Sequence, residues 1–472
     1  MTGYKRRAAA LAYNRIMIQE ARVRHLNNLP SARGRYVLYW MQASQRTRFN
    51  HALEYAIARA NELRQPVVVC FGLMDDYPEA NLRHYAFMLE GLSEVERALA
   101  ERGISLVIRR GRPQEVAIQL AENASLVVCD RGYLRHQKQW RDYVADNAGR
   151  EVVEIESDVV VPVDEASNHA EFAARTIRPK IHKLLARYLL KLPMERVRLP
   201  FGKISIKSDI DLSDVPAVLH RLKIDRSVPP SGRFKGGQNE GRKLLAHFLR
   251  SKLSGYDEES NDPADQNTST LGAYLHFGQL SPVEVALAVE NARAPRMDRD
   301  SYLEQLIVRR ELAVNFVNFN PRYDSFDGLP AWARQTLKAH RADKRDYIYT
   351  REQLESAATD DPYWNAAQKE MLFSGYMHNY MRMYWGKKIL EWKRTPREAF
   401  EDALYLNNKY FLCGRDPNSY ASIGWLFGLH DRPWSRRPIF GTVRYMNSAG
   451  LERKFDMDRY VRMVDELQAK EE

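Results

Sequence analysis

The chain divides by the rhythm of its apolar positions. In the first third, short apolar runs alternate with amphipathic stretches. YVLYW, from Tyr36, and PVVVCFGL, from Pro66, read as strands, the second buried on both faces by its unbroken apolar run. SLVIRRG, SLVVCD and VVEIES repeat the signal. Between them HALEYAIARANEL, HYAFMLEGLSEVERALAERG, PQEVAIQLAENA and residues 137–148 carry apolar positions at helical spacing, and Gly103 is placed to end a helix. This alternation predicts an α/β Rossmann-like domain with a doubly wound parallel sheet.

From about Val160 to Gly236 the pattern weakens, and DRSVPPSGRFKGGQNEG is rich in Pro, Gly and charge, as a connector is. From about Asn239 strand signals are scarce and amphipathic stretches recur: GRKLLAHFLRSKL, SPVEVALAVENA, SYLEQLIVRRELAVNFVNF and MHNYMRMYWGKKILEW. The expected organisation is a basic N-terminal extension (1–34), an α/β domain (35–165), a connector (166–238) and an all-α domain (239–472).

Composition narrows the class. The 472 residues are 44% hydrophobic, and no apolar run is long enough to cross a bilayer. The N-terminus is broken by Lys and Arg and lacks the apolar core of a signal peptide, so a soluble, cytoplasmic protein is expected. Three widely spaced cysteines, Cys70, Cys129 and Cys413, support neither a disulfide framework nor a zinc site, and no metal is expected. A net charge of +11 favours a polyanion such as nucleic acid. There is no G-x-G-x-x-G after the first strand and no Walker A sequence, which argues against ordinary NAD or P-loop chemistry.

Two features of the helical half bear chemistry. Trp385 and Trp392 lie seven apart, about two turns, so their indoles share a helix face, and Trp364 precedes them. Such a stripe is core packing or a relay of indoles for an electron; spacing does not choose. In NDPADQNTSTLGAYLHFGQLSP, Thr268, Ser269 and Thr270 precede a helix start, where hydroxyls and free N–H groups suit a pyrophosphate or a simple N-cap.

The strings YWMQASQR, DDYPEANLRHYAFMLEGL, RTIRPK, YLHFGQLSP, DPYWNAAQ, MRMYWGKKILEW, GRDPNSYA, HDRPW and RYMNSAGLERKFDM together carry a resemblance. From about Arg35 onward the chain resembles class II cyclobutane-pyrimidine-dimer photolyases of the photolyase/cryptochrome superfamily. The resemblance implies an antenna domain, a helical domain holding FAD, and a deazaflavin (8-HDF-type) antenna. It implies a monomer that binds double-stranded DNA and flips a pyrimidine dimer out of the stack for light-driven splitting.

Carried over by motif, Tyr256 and the run Thr268, Ser269, Thr270, Leu271 and Gly272 hold the FAD phosphates. Asn407 faces flavin N5 and Arg382 lies beside the flavin ring; Arg310, Asn379, Cys413, Gly414 and Asp416 complete the cofactor set. Trp385, Trp364 and Trp392 form the relay, Trp425 packs on the lesion, and Asn261 and Arg309 contact DNA.

The chain departs from the family at five places, one of them Asn379, where class II chains commonly have Gly and flavin binding is still expected. Gln305 stands at the lesion-facing glutamate position and offers only a neutral amide, with Glu304 expected on another face. Ser260 replaces an arginine that fills the gap left by flipped bases, and Arg309 replaces a stacking tryptophan. Cys413 replaces the aspartate partner of Arg382, which then turns to another acid such as Asp416, or to the flavin, favouring its anionic form. Beside an unpaired guanidinium the Cys413 thiol has either a lowered pKa or a plain filling role. Repair is the leading expectation; a cryptochrome-like light sensor or a repurposed flavoenzyme is the alternative.

Overall fold

The computed structural model describes residues 18–202 and 206–471. Apolar runs of the first third form a six-stranded sheet: β1 (Val23–His25), β2 (Tyr36–Trp40), β3 (Val67–Leu73), β4 (Ser105–Arg110), β5 (Ala124–Asp130) and β6 (Glu151–Ile155), in the order β1-β6-β5-β2-β3-β4. β2, β3 and β5 are buried along their whole length because helices cover both faces, as their unbroken apolar sequence requires. The pairs from β6 to β4 are parallel. β1 differs: residues before 35, read as a basic extension, supply an antiparallel edge strand with Arg24 opposite Glu154.

β2 continues to β3 on one side, while β5 flanks it on the other. The chain reverses its order there, and a crevice opens at the strand ends. Asp130, ending β5, shapes it. Its buried carboxylate accepts N–H groups of Gln42, Ala43 and Ser44 at 2.9–3.0 Å and the Tyr39 hydroxyl at 2.7 Å.

After residue 237 the described chain is helical. Buried arginines tie this half to the sheet. Arg46 pairs with Asp158 at 2.6 Å and donates to Gly278 O at 2.9 Å. Gly278 has φ +64°, and a Cβ there would sit 1.8 Å from Ala43 O, so only glycine fits. Arg83 donates to Met371 O and Tyr410 O at 3.1 and 3.0 Å. The largest apolar cluster then gathers Trp364, Trp385 and Trp392 with Phe411, Leu406 and Ile423.

Candidate flavin and electron-transfer site

Three helices bring the central polar cluster together: Asn379–Trp392, Pro396–Tyr410 and Pro417–Leu426. Each starts with a side-chain cap, from His378, Thr395 and Asp416. Arg382, one turn into the first, donates through Nη2 to Asn407 Oδ1 and, at 3.3 Å, to Ser419 Oγ. Asn407 is fully buried and donates to Asn408 Oδ1 at 2.8 Å and Ser419 Oγ at 3.1 Å. The guanidinium lies 4.1 Å from the Phe411 ring centroid, and its Nε is buried without a partner.

No carboxylate among the described residues lies within ion-pair range of Arg382. Its Nη1 instead meets Cys413 Sγ at 3.7 Å. Asp416, the acid offered as a substitute, caps the helix Pro417–Leu426 by accepting Ser419 N–H at 2.6 Å. The lowered-pKa reading of Cys413 is corrected here: burial pushes the thiol up, and Arg382 opposes this only in part.

The hydroxyl run reaches the same place. An added Cβ on Gly272 would touch Cys413 Cβ at 3.8 Å, so the turn Gly272–His276 starts against the cysteine. Thr268 Oγ1 meets Tyr376 OH at 3.0 Å, and Ser269 Oγ accepts the Tyr302 hydroxyl at 3.0 Å. Thr270 has φ +54°, turning the backbone just before Leu271. The Tyr256 ring stands edge-on to Tyr302 at 5.2 Å. Gly414 follows Cys413 in a turn packed on the Asn407 and Asn408 backbone. Arg310 donates to Asp158 O at 2.7 Å and, with Asp416, lines the cavity that opens from the crevice of the sheet.

The tryptophans form one file. Trp364, from the helix Pro362–Ser374, lies between the two indoles of the other helix: 6.5 Å from Trp385 with planes 7° apart, and 5.4 Å from Trp392. Trp364 Nε1 donates to Trp385 O at 2.9 Å, and Trp385 Nε1 to Gln368 Oε1 at 2.8 Å. Phe411 bridges Arg382 to Trp385, with ring centroids 6.4 Å apart. The residues sequence reasoning passed over are Phe411, Ser419 and Gln368. Nothing in their local sequence marks them, because each acts across helices.

Gln305 and Arg309 are exposed on a π-helical turn, Glu304–Arg309, a geometry often found at functional sites. Glu304 points elsewhere, paired with Arg178 at 2.7 Å and Arg309 at 3.2 Å. Asn261 and Asn379 are exposed, and Ser260 lends its carbonyl to His378 Nε2 at 3.1 Å. Trp425 lies between cations, with Lys387 Nζ 5.0 Å and the Arg444 guanidinium 5.3 Å from its ring. Lys387 is fully buried, donates to Leu426 O at 2.6 Å, and is pushed down to about 7 by burial.

The donor set fits a flavin dinucleotide. An unpartnered buried N–H of Arg382, an amide at Asn407 and a hydroxyl run at a helix start offer a ring donor, a ring amide and a phosphate cradle.

Residues 37–198 match the DNA photolyase family model. A deoxyribodipyrimidine photo-lyase from Methanothermobacter thermautotrophicus is 47% identical over 94% of this chain and 98% of its own length. Among solved structures, a class III photolyase from Agrobacterium tumefaciens superposes with a TM-score of 0.71 at 19% identity, covering 92% of this chain and 87% of that one. A photolyase from Sulfolobus tokodaii, described with two FAD molecules, superposes with a TM-score of 0.66 at 16% identity, covering 90% and 89%. These two carry the fold, while the Methanothermobacter relative's identity over nearly full length carries the family. The chain therefore belongs to the DNA photolyase family, within the photolyase/cryptochrome proteins.

Proposed function

We propose that this chain binds FAD and repairs DNA by light-driven splitting of cyclobutane pyrimidine dimers, as a class II member of its family. The observation that carries the reading is the position of Arg382. It contacts Asn407 and Ser419 on one side and, through Phe411, heads the tryptophan file on the other. Trp425 follows Ser419 by six residues on the same helix, a rise of roughly 9 Å. One helix thus joins the cofactor cluster to the aromatic for the lesion.

When bound, reduced FAD supplies the photochemistry, one electron lent to the dimer and returned after ring opening. The chain's own residues do the rest. Tyr256 and Thr268 to Gly272 hold the phosphates. Arg310, Asn379, Arg382, Cys413, Gly414 and Asp416 frame the rings, and the Asn407 amide accepts from the reduced ring's N–H. Trp385, Trp364 and Trp392 refill the cofactor with electrons. Trp425 and Gln305 receive the flipped lesion, and Asn261 and Arg309 grip flanking DNA. The crevice at the ends of β2, β3 and β5, lined by Phe71, Tyr77, Trp140 and Arg141, accepts an antenna such as a deazaflavin.

The test is blue-light repair of an oligonucleotide with one thymine dimer by chemically reduced protein, beside a dark control. Light-dependent return of intact thymines supports the reading. Bound, photoreducible FAD without repair shifts it to a cryptochrome-like sensor.

A further inference from the structure

Trp392 is the last tryptophan of the file, yet it is 2% exposed. An electron hole halted there stays inside the protein, a poor place for an external reductant to reach it. The ring contacts continue past it. Tyr349 packs edge-on to Trp392 at 5.0 Å, and Tyr347 stacks on Tyr349 at 6.0 Å with planes 6° apart. Neither step is longer than the 6.5 Å between Trp364 and Trp385. Tyr349 is 8% and Tyr347 50% exposed, so the file passes from core to solvent within two rings.

Tyr349 also has somewhere to put its proton. Its hydroxyl donates to Asp360 Oδ2 at 2.7 Å and accepts Asp360 N–H at 3.0 Å, and Asp360 is exposed. A surface cavity opens at the same point, lined by Tyr347, Tyr349, Asp360, Lys388 and Trp392. The charges nearby do not offer Trp392 a better acceptor. Lys388 lies 4.8 Å over its ring, with Glu391 and Asp361 at 3.0 and 3.9 Å from the ammonium. Lys393 holds Tyr349 O at 3.1 Å and pairs with Glu398 and Asp402.

We propose that Tyr349 is the terminal electron donor of this protein, with Asp360 as its proton acceptor and Tyr347 as the contact for a soluble one-electron reductant such as a thiol. The proposal rests on the relay reading of Trp385, Trp364 and Trp392. Under light Trp385 gives one electron toward bound oxidised FAD, Trp364 refills Trp385, and Trp392 refills Trp364. Tyr349 then passes one electron to oxidised Trp392, and its O–H bond breaks as the proton moves to the Asp360 carboxylate. The phenoxyl radical is neutral, so no lasting charge is left in the buried file. Asp360 releases its proton to water. One electron from the thiol, with a proton from solvent, restores Tyr349.

The experiment uses FAD-loaded protein carrying ring-deuterated tyrosine, illuminated and frozen for electron paramagnetic resonance. The expected wild-type radical narrows on tyrosine deuteration, showing that it is a tyrosyl. Tyr349→Phe and the exposed change Asp360→Asn replace it with a tryptophanyl radical and slow thiol-dependent photoreduction severalfold. Tyr347→Phe, on the surface, keeps the tyrosyl and slows only its quenching by thiol. A wild-type radical unaffected by tyrosine deuteration, or a tyrosyl that survives Tyr349→Phe, overturns the proposal. Trp385→Phe separates the two levels: loss of every radical upholds the relay, whereas an undiminished radical sinks the relay and this extension together.

Discussion

Arg382 meets a thiol, Cys413 Sγ, at 3.7 Å, and among the described residues no carboxylate pairs with it directly. A partly buried guanidinium so placed keeps its full positive charge beside the proposed flavin ring. That charge favours the ring's anionic form. Photoreduced wild-type protein is expected to show the anionic flavin spectrum, and Cys413→Asp, which pairs Arg382, to shift it to the neutral form. Absorption spectra after identical illumination check this. The neutral form in both proteins would remove Arg382 as the cause.

Trp385→Phe is expected to lower the rate of FAD photoreduction at least about 10-fold, roughly 1.4 kcal/mol of barrier. Repair by chemically pre-reduced protein should stay nearly unchanged, since the proposed relay serves only to refill the cofactor. Trp364→Phe should act in the same direction, because Trp364 is the ring in contact with both Trp385 and Trp392. It also leaves Trp385 O without its indole donor, a net cost of about 1 kcal/mol. Stopped illumination with spectral detection separates the two steps. Normal photoreduction in Trp385→Phe would exclude it from the path.

What the sequence makes legible follows the range of each interaction. Burial on both faces writes itself as unbroken apolar runs, so β2, β3 and β5 could be read directly. β1 could not, because three residues of an exposed edge carry no periodicity. The seven-residue spacing puts Trp385 and Trp392 on one face, but the ring between them comes from another helix. Chain order alone shows Trp364 preceding them, and only the motif resemblance places it in the relay. Phe411 and Ser419 escaped for the same reason, and so did Tyr349, whose partner Trp392 lies 43 residues on. Cys413 was legible as a departure, but the direction of its titration was not. That depends on burial, which local sequence does not record.

Gln305 is exposed on the π-helical turn, while Glu304 is held by Arg178 and Arg309. Gln305→Glu therefore places a free carboxyl at the proposed lesion mouth without breaking an existing pair. A protonated carboxyl donates more strongly to a dimer carbonyl than an amide does, and an ionised one accepts more strongly. Single-turnover repair under blue light is expected to speed up severalfold, with FAD content unchanged. An unchanged rate would mean that this turn does not face the dimer.

Glu311 gives a prediction about stability. It is buried under the sheet-side loop, and its carboxylate accepts the N–H groups of Val160 and Val161. Burial pushes it up to about 8 from the ordinary 4.5, against those two bonds and the charges of Arg310 and Arg22. Between these values the folded protein keeps a proton that the unfolded chain has lost. Stability from this group is therefore complete below pH 4.5, falls as pH rises toward 8, and is level above it. Glu311→Gln keeps the acceptor oxygen and never ionises. Its stability relative to wild type should be near zero at about pH 5 and should climb by a few kcal/mol at about pH 8, at up to about 1.4 kcal/mol per unit. His51, His84 and His276, all pushed down by burial, add the opposite slope at acid pH, but they do so in both proteins and cancel in the difference. Urea unfolding of the two proteins across this range measures that difference. A flat difference would mean that Glu311 ionises inside the fold at no cost, with the two N–H donors and Arg310 fully offsetting its burial.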